Sequence, residues 1–242
     1  VNEDVIQQTH ALRADGLAPK AIARALGISV SDVTAALNAG TPANGMDEPR
    51  CWINTGWSHR VDLTGAPHWA AHDRPTSEDE EAGGLAAILV ARDVRHANKA
   101  LVAGFLLDVW CLGVKNALPP DPMTPAHLAE QRHAYFSAHQ AHHQIPAALA
   151  RDLVFGAEAY ARALGFEPNG DFGEAAAVLG EPEHPSPIRF GRDGKPFYVN
   201  GPYDDTASVL ATLRRTIGEG NFDFAVIGPS SQPRRRFGRA RG

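Results

Sequence analysis

Leu85-Ala86-Ala87-Ile88-Leu89-Val90, a polar bridge from Arg92 to Lys99, and then Ala100-Leu101-Val102-Ala103-Gly104-Phe105-Leu106-Leu107-Asp108-Val109-Trp110 decide the fold class. Two apolar runs of strand length with a short polar bridge between them read as neighbouring antiparallel strands. Downstream, Pro119 to Pro125 breaks the chain, and Pro125 to His143 reads as a helix with Glu130 and Arg132 outward. Ala147 to Leu164 reads as a stronger helix, with Leu149, Leu153, Phe155, Ala157 and Tyr160 on its apolar face. A short helix is expected over Asp171 to Leu179. A hairpin is expected where Arg192-Asp193-Gly194-Lys195 separates Ile188–Phe190 from Pro196–Val199, because an Asp-Gly pair suits a tight turn. Asp205 is placed to cap a last helix to about Ile217, and Phe222 to Ile227 reads as a final strand.

Upstream, residues 2–40 read as three short helices. Pro19 suits the first turn of the second helix, and Ala21, Ile22, Ala25 and Leu26 form its inner stripe. Gly27-Ile28-Ser29 is a tight turn. Ser29 with Asp32 three residues on is a capping box for the third helix, where Val33 and Leu37 point inward. The pattern Ala21 to Leu37 resembles the helix-turn-helix of small bacterial regulators and recombinases. The expectation is therefore an α+β chain in four parts. Residues 1–40 form an all-α helix-turn-helix unit, and 41–83 a linker and Trp-containing entry segment, where Trp52, Trp57 and Trp69 pack on the main domain. Residues 84–229 form that domain, a mixed, mainly antiparallel sheet with helices packed on it, and 230–242 an Arg-rich tail, disordered when free.

Composition narrows the class. A hydrophobic fraction of 43% supports a sizeable core without metal or disulfide staples. The longest apolar run is Ala100 to Leu107, whereas a membrane helix needs about 20 residues, so no membrane partner is expected. Cys51 and Cys111 form neither a disulfide framework nor a zinc motif, and the polar start, Asn2-Glu3-Asp4, does not resemble a signal peptide; a cytoplasmic location is the expectation. The net charge of −5 gives no global basic excess toward nucleic acid.

Gly104 to Lys115, Gly84 to Arg92, Phe155 to Ala161, Leu164 to Phe172, and Phe190-Gly191-Arg192-Asp193-Gly194-Lys195-Pro196-Phe197 leading into Gly201-Pro202 form a recognisable set. Together they resemble a family of uncharacterised bacterial α+β proteins over residues 84–227, often joined to a helix-turn-helix. The resemblance implies the fold and no activity. Its members tend to have Asp where this chain has Asn116 and His where it has Asn169, which counts against metal or acid–base work at those two positions.

Asp108 is the unusual residue of its strand, since a lone carboxylate among apolar neighbours is costly to bury unless paired. Lys115 is the expected partner, past a turn at Gly113. The pair reads either as a structural ion pair or as the catalytic candidates of a nuclease- or phosphoesterase-like enzyme, for which no metal-binding acid stands at a defining spacing. His139 and His143 at i,i+4 match metal-ligand spacing, and Glu130 with His133 forms a single Glu-x-x-His. Both read more simply, with His127 and His142, as a solvated His-rich helix. Gly191 to Lys195 lacks the spacing of a phosphate loop, and Cys111 reads as packing or as a nucleophile without a base. No cofactor or metal is implied.

Nucleic acid, DNA or RNA, is the leading partner. The third helix would present Ser31, Thr34 and Asn38 to bases while Arg13, Lys20 and Arg24 meet phosphates, and Arg234, Arg235, Arg236, Arg239 and Arg241 add non-specific affinity. The weak point is charge, because residues 1–40 hold three bases against four acids, Glu3, Asp4, Asp15 and Asp32. A protein-interaction module, with the N-terminal helices joining a homo-oligomer, is the third reading.

Overall fold

The computed structural model describes residues 17–39, 48–73, 84–95, 97–138 and 141–226, with Val5, Gln8, Thr9 and Leu12. Most of the expected first helix, Arg13, the 41–47 linker, the acidic run 78–81, His139 and the arginines of the tail lie outside the described residues, as do the side chains of Thr34, Leu37 and Asn38. The chain divides into two compact units, Val1–Glu48 and Pro49–Gly242. Among the described residues no helix is long and apolar enough to cross a membrane.

In the first unit, helix α1 (Pro19–Leu26) and helix α2 (Val30–Ala39) are joined by a three-residue turn. Pro19 opens α1, where a missing N–H costs nothing. Gly27 closes it in the left-handed region at φ 66°. The Ser29 Oγ accepts the Asp32 N–H at 3.0 Å, and the Ser29 N–H donates back to the Asp32 carboxylate at 3.3 Å, the reciprocal pair of a capping box. Ile22, Ala23 and Val33 are buried together, with Leu12, Leu17, Leu26 and Ile28 against them. Ala21 and Ala25, expected inside, are exposed, and Ala23 takes the inner position.

The second unit is built on a five-stranded antiparallel sheet in the order β4-β3-β2-β1-β5. The strands are β1 (Arg50–Asn54), β2 (Leu85–Asp93), β3 (Ala100–Asp108), β4 (Gly113–Met123) and β5 (His142–Ile145). The two apolar runs expected to pair are β2 and β3, with Ile88 opposite Phe105 and Leu89 opposite Gly104. Both read as unbroken apolar stretches because both faces of the sheet are covered. Cys51, Ile53, Ile88, Val90, Phe105 and Leu107 pack with helix α4 (Ala147–Ala163) and helix α5 (Phe172–Leu179). Trp52, Ala87, Leu89 and Val102 pack with Leu128 of helix α3 (Pro125–Tyr135) and with Phe136. The Trp-containing entry segment, expected to pack on the main domain, thus supplies an inner strand of its sheet, β1. A short parallel pair, β6 (Phe197–Val199) and β7 (Asp223–Ala225), packs with helix α6 (Thr206–Ile217) through Tyr198, Leu213 and Phe222.

Three expectations are corrected. Pro119, Pro120 and Pro122 do not break the chain but lie inside β4, because β4 is an edge strand and has no outer partner to miss a proline N–H. The helix from Pro125 stops at Tyr135. Phe136 is buried and stacks on His142 at 4.4 Å, and His142 to Ile145 pairs with β1, so sheet pairing overrides helical continuation and takes His143 off any helix. The Asp193-Gly194 turn forms, with φ of 54° and 79°, but its ladder is the single bridge Arg192–Lys195. The flanking segments go elsewhere, Arg189 to Asp62 and Phe197 to β7.

Candidate functional site

Asp108 ends β3, and the chain reverses through 109–112 before Gly113 starts β4. The reversal lies close against α4. A Cβ on Gly113 would stand 2.4 Å from Ala161 Cβ and 2.6 Å from the Ala157 carbonyl oxygen, and φ is 65° there. The Asp108 Oδ1 organises the turn by accepting the N–H groups of Trp110 at 2.9 Å and Cys111 at 3.0 Å. Two N–H donors suit an ionised carboxylate. Burial nevertheless outweighs them, with the N–H groups of Leu112, Trp110 and Cys111 and the Lys115 charge opposing it, and pushes the Asp108 carboxyl up to about 6.

Lys115 is not hydrogen-bonded to Asp108, contrary to the pairing expected from sequence. Its Nζ donates to both oxygens of Asp204, at 3.0 and 2.9 Å. The reason is geometric: the turn occupies one Asp108 oxygen with two N–H donors, while Asp204 is aimed at Lys115 by the Gly201 N–H, which donates to it at 2.7 Å. Burial alone would raise the Asp204 carboxyl, but the Gly201 N–H and the Lys115 ammonium prevail and hold it below the usual carboxylate range. Tyr198, at 3.4 Å from Asp204, and Thr206 complete the network.

Asp108 and Lys115 nevertheless face one cavity of about 240 Å³, shared with Gly84, Trp110, Phe197, Asn200 and Gly201. Its aromatic side is fixed. A Cβ on Gly84 would stand 2.7 Å from the Trp110 ring, closer than contact allows. Its indole N–H donates to the His59 carbonyl at 3.1 Å, and the Arg192 guanidinium stacks over Trp110 and Phe197 at 5.2 and 4.4 Å from the ring centroids. Lys115 has a third N–H beyond the two given to Asp204. The cavity therefore offers a cationic donor and a proton-accepting carboxylate beside flat apolar walls. Asn200, Gly201 and Asp204 are not among the residues that sequence singles out for this site. The Gly201-Pro202 motif flags the loop, but Asp204 stands 89 residues from Lys115 and carries no local signal of the pairing.

The other candidates fall apart from this site. Burial and the Asp108 charge push the Cys111 thiol up, so it packs as a protonated side chain. Lys195 donates to Asp223 at 2.9 Å, and Arg60 pairs with Asp193, so the Gly191–Lys195 turn is spent on ion pairs. His127 and His133 lie on α3, and His142 and His143 on β5. Among the described residues no group of three His, Cys, Asp or Glu gathers to hold a metal. Asn116 is exposed on β4, in a hollow with Tyr135, and the Asn169 side chain accepts the Asp171 N–H at 2.9 Å. Of the nucleic-acid candidates, Lys20, Arg24 and Ser31 are exposed on α1 and α2. No family model, curated protein or solved structure matches this chain.

Proposed function

We propose that the sheet domain binds a small polar ligand in the Asp108–Lys115 cavity and that the N-terminal helices contact nucleic acid, making the protein a ligand-linked nucleic-acid-binding protein. The observation that carries the reading is that Lys115, with an N–H to spare, and the buried Asp108 carboxylate line one cavity beside Trp110 and Phe197. The cavity has the volume of about eight waters. A 2-hydroxy carboxylate fits this chemistry: its carboxylate accepts from Lys115, its hydroxyl donates to Asp108, and its carbon chain lies on the aromatic walls. Calorimetric titration with glycerate tests it. Saturable binding that disappears in Lys115→Met supports the reading, and equal binding by Lys115→Met and the parent chain removes it.

Lys20 and Arg24, exposed one turn apart on α1, support the nucleic-acid half. Each phosphate contact contributes about 0.9 to the salt slope on duplex DNA. Lys20→Glu with Arg24→Glu is expected to weaken duplex binding and flatten that slope by about two. Replacing Arg234, Arg235 and Arg236 by Ser separates tail binding from helix binding.

A second reading, an acid–base enzyme of nuclease or phosphoesterase type, is favoured by one feature, a carboxyl brought to about 6 beside a lysine. It predicts hydrolysis of a phosphodiester such as bis(4-nitrophenyl) phosphate, with a rate that follows one group titrating near pH 6 and is lost in Asp108→Asn. No turnover above the buffer rate leaves the binding reading alone.

A further inference from the structure

A groove of about 820 Å³ runs between α4 and the 182–190 segment, walled by Phe155, Tyr160, Ile188 and Phe190, and it shares no lining residue with the Asp108 cavity. The segment is held close to the helix because residue 156 is glycine. A Cβ there would stand 2.6 Å from both Ser186 Cβ and the Phe190 ring. One turn earlier, Asp152 is only 4% exposed. Its carboxylate is held by the Trp69 indole N–H, which donates to Oδ2 at 2.8 Å, and the His184 Nδ1 lies 3.8 Å from Oδ1, near enough for a charge to be felt but not for a hydrogen bond. His184 lines the groove with its side chain 62% exposed. Its Nδ1 also lies 3.1 Å from the Pro185 carbonyl oxygen. The Pro185 carbonyl, an acceptor beside Nδ1, places the proton of the neutral ring there and leaves the Nε2 lone pair without a hydrogen-bond partner among the described residues.

We propose that this groove is a second active site, in which His184 is the general base for hydrolysis of a small apolar carboxylic ester and Asp152, held by Trp69, is its positioning residue. A buried carboxylate within 4 Å of an imidazole favours the imidazolium as it forms. Burial raises the Asp152 carboxyl, and Trp69, His184 and His68 oppose that rise. The Nε2 takes a proton from water as the water oxygen bonds to the ester carbonyl carbon. Collapse of the adduct breaks the bond to the alkoxy oxygen, which receives the proton from Nε2. The products are a carboxylic acid and an alcohol, and the imidazole returns neutral. The apolar body of the ester lies on Phe155, Ile188 and Phe190. Ser186 accepts the Ile188 N–H at 3.3 Å and keeps its own proton for the ester oxygen.

The full chain is assayed with 4-nitrophenyl butyrate between pH 5 and 9. Saturable turnover is expected, with His184→Gln reduced to the buffer rate. Asp152→Asn, which keeps the shape and the Trp69 hydrogen bond, is expected to lower kcat about tenfold with KM unchanged. Turnover that never exceeds the buffer rate, or that survives His184→Gln, overturns the proposal. An Asp152→Asn effect confined to the melting temperature, with kcat and KM unmoved, makes Asp152 purely structural and overturns the dyad.

Discussion

A carboxylate set between Leu107 and Val109 needs hydrogen-bond donors, and at Asp108 the turn at the end of β3 supplies them. Asn keeps the acceptor oxygen for the Trp110 and Cys111 N–H groups and removes the buried charge, whereas Ala leaves both donors facing nothing. Asp108→Asn is therefore expected to match or exceed the parent in stability at pH 8, and Asp108→Ala to lose about 2 kcal/mol, both read by urea unfolding. The folded carboxyl, at about 6, lies above its unfolded value near 3.9. Between these values the folded chain binds more protons than the unfolded one. This contribution therefore stabilises below about pH 4 and is lost as pH rises through 6, amounting to about 3 kcal/mol. The Asp108→Asn chain is expected to lack that slope, and an unchanged slope would place the titration elsewhere. Asp108 was legible in the sequence because a lone acid stands out in an apolar run. Its environment was not legible: the nearest cation in sequence, Lys115, hydrogen-bonds instead to Asp204, which only the folded chain brings near.

At the scale of elements, β2 and β3 were legible because long apolar runs bounded by a polar bridge have few alternatives. β1 and β5 were not. Cys51 to Asn54 sits among turn residues, and His142 to Ile145 is four residues long after a helix whose end has no glycine to mark it. The prolines of β4 misled for a physical reason: they are forbidden in an inner strand and useful on an edge, where they deter pairing with another sheet. Replacing Pro119, Pro120 and Pro122 with Thr is expected to leave the fold intact and to increase self-association in sedimentation velocity. Gly113 stands where a side chain has no room. Gly113→Ala combines a left-handed φ with overlap on Ala157 and Ala161 and is expected to cost about 3 kcal/mol. In the first unit, Ser29→Ala removes the capping box and is expected to cost about 1 kcal/mol, seen as reduced helicity of that unit.

Over the whole molecule, two compact units divide at Glu48, and the proposed work divides with them, nucleic-acid contact before that point and ligand binding after it. The antiparallel α+β architecture was readable from hydrophobic patterning. The cavity was not, because it is assembled from the turn between β3 and β4 and the loop after β6, which is remote from that turn in sequence and lies outside the five-stranded sheet. The central claim is that Asp108 and Lys115 face a ligand, and its most direct test is an NMR titration of the uniformly ¹⁵N-labelled full chain with glycerate, with propionate as the analogue lacking hydroxyls. Saturable shifts confined to the amides around Trp110, Lys115 and Gly201, stronger for glycerate and absent in Lys115→Met, are the predicted result. Shifts that do not saturate, that are scattered over the surface, or that persist in Lys115→Met would contradict the account.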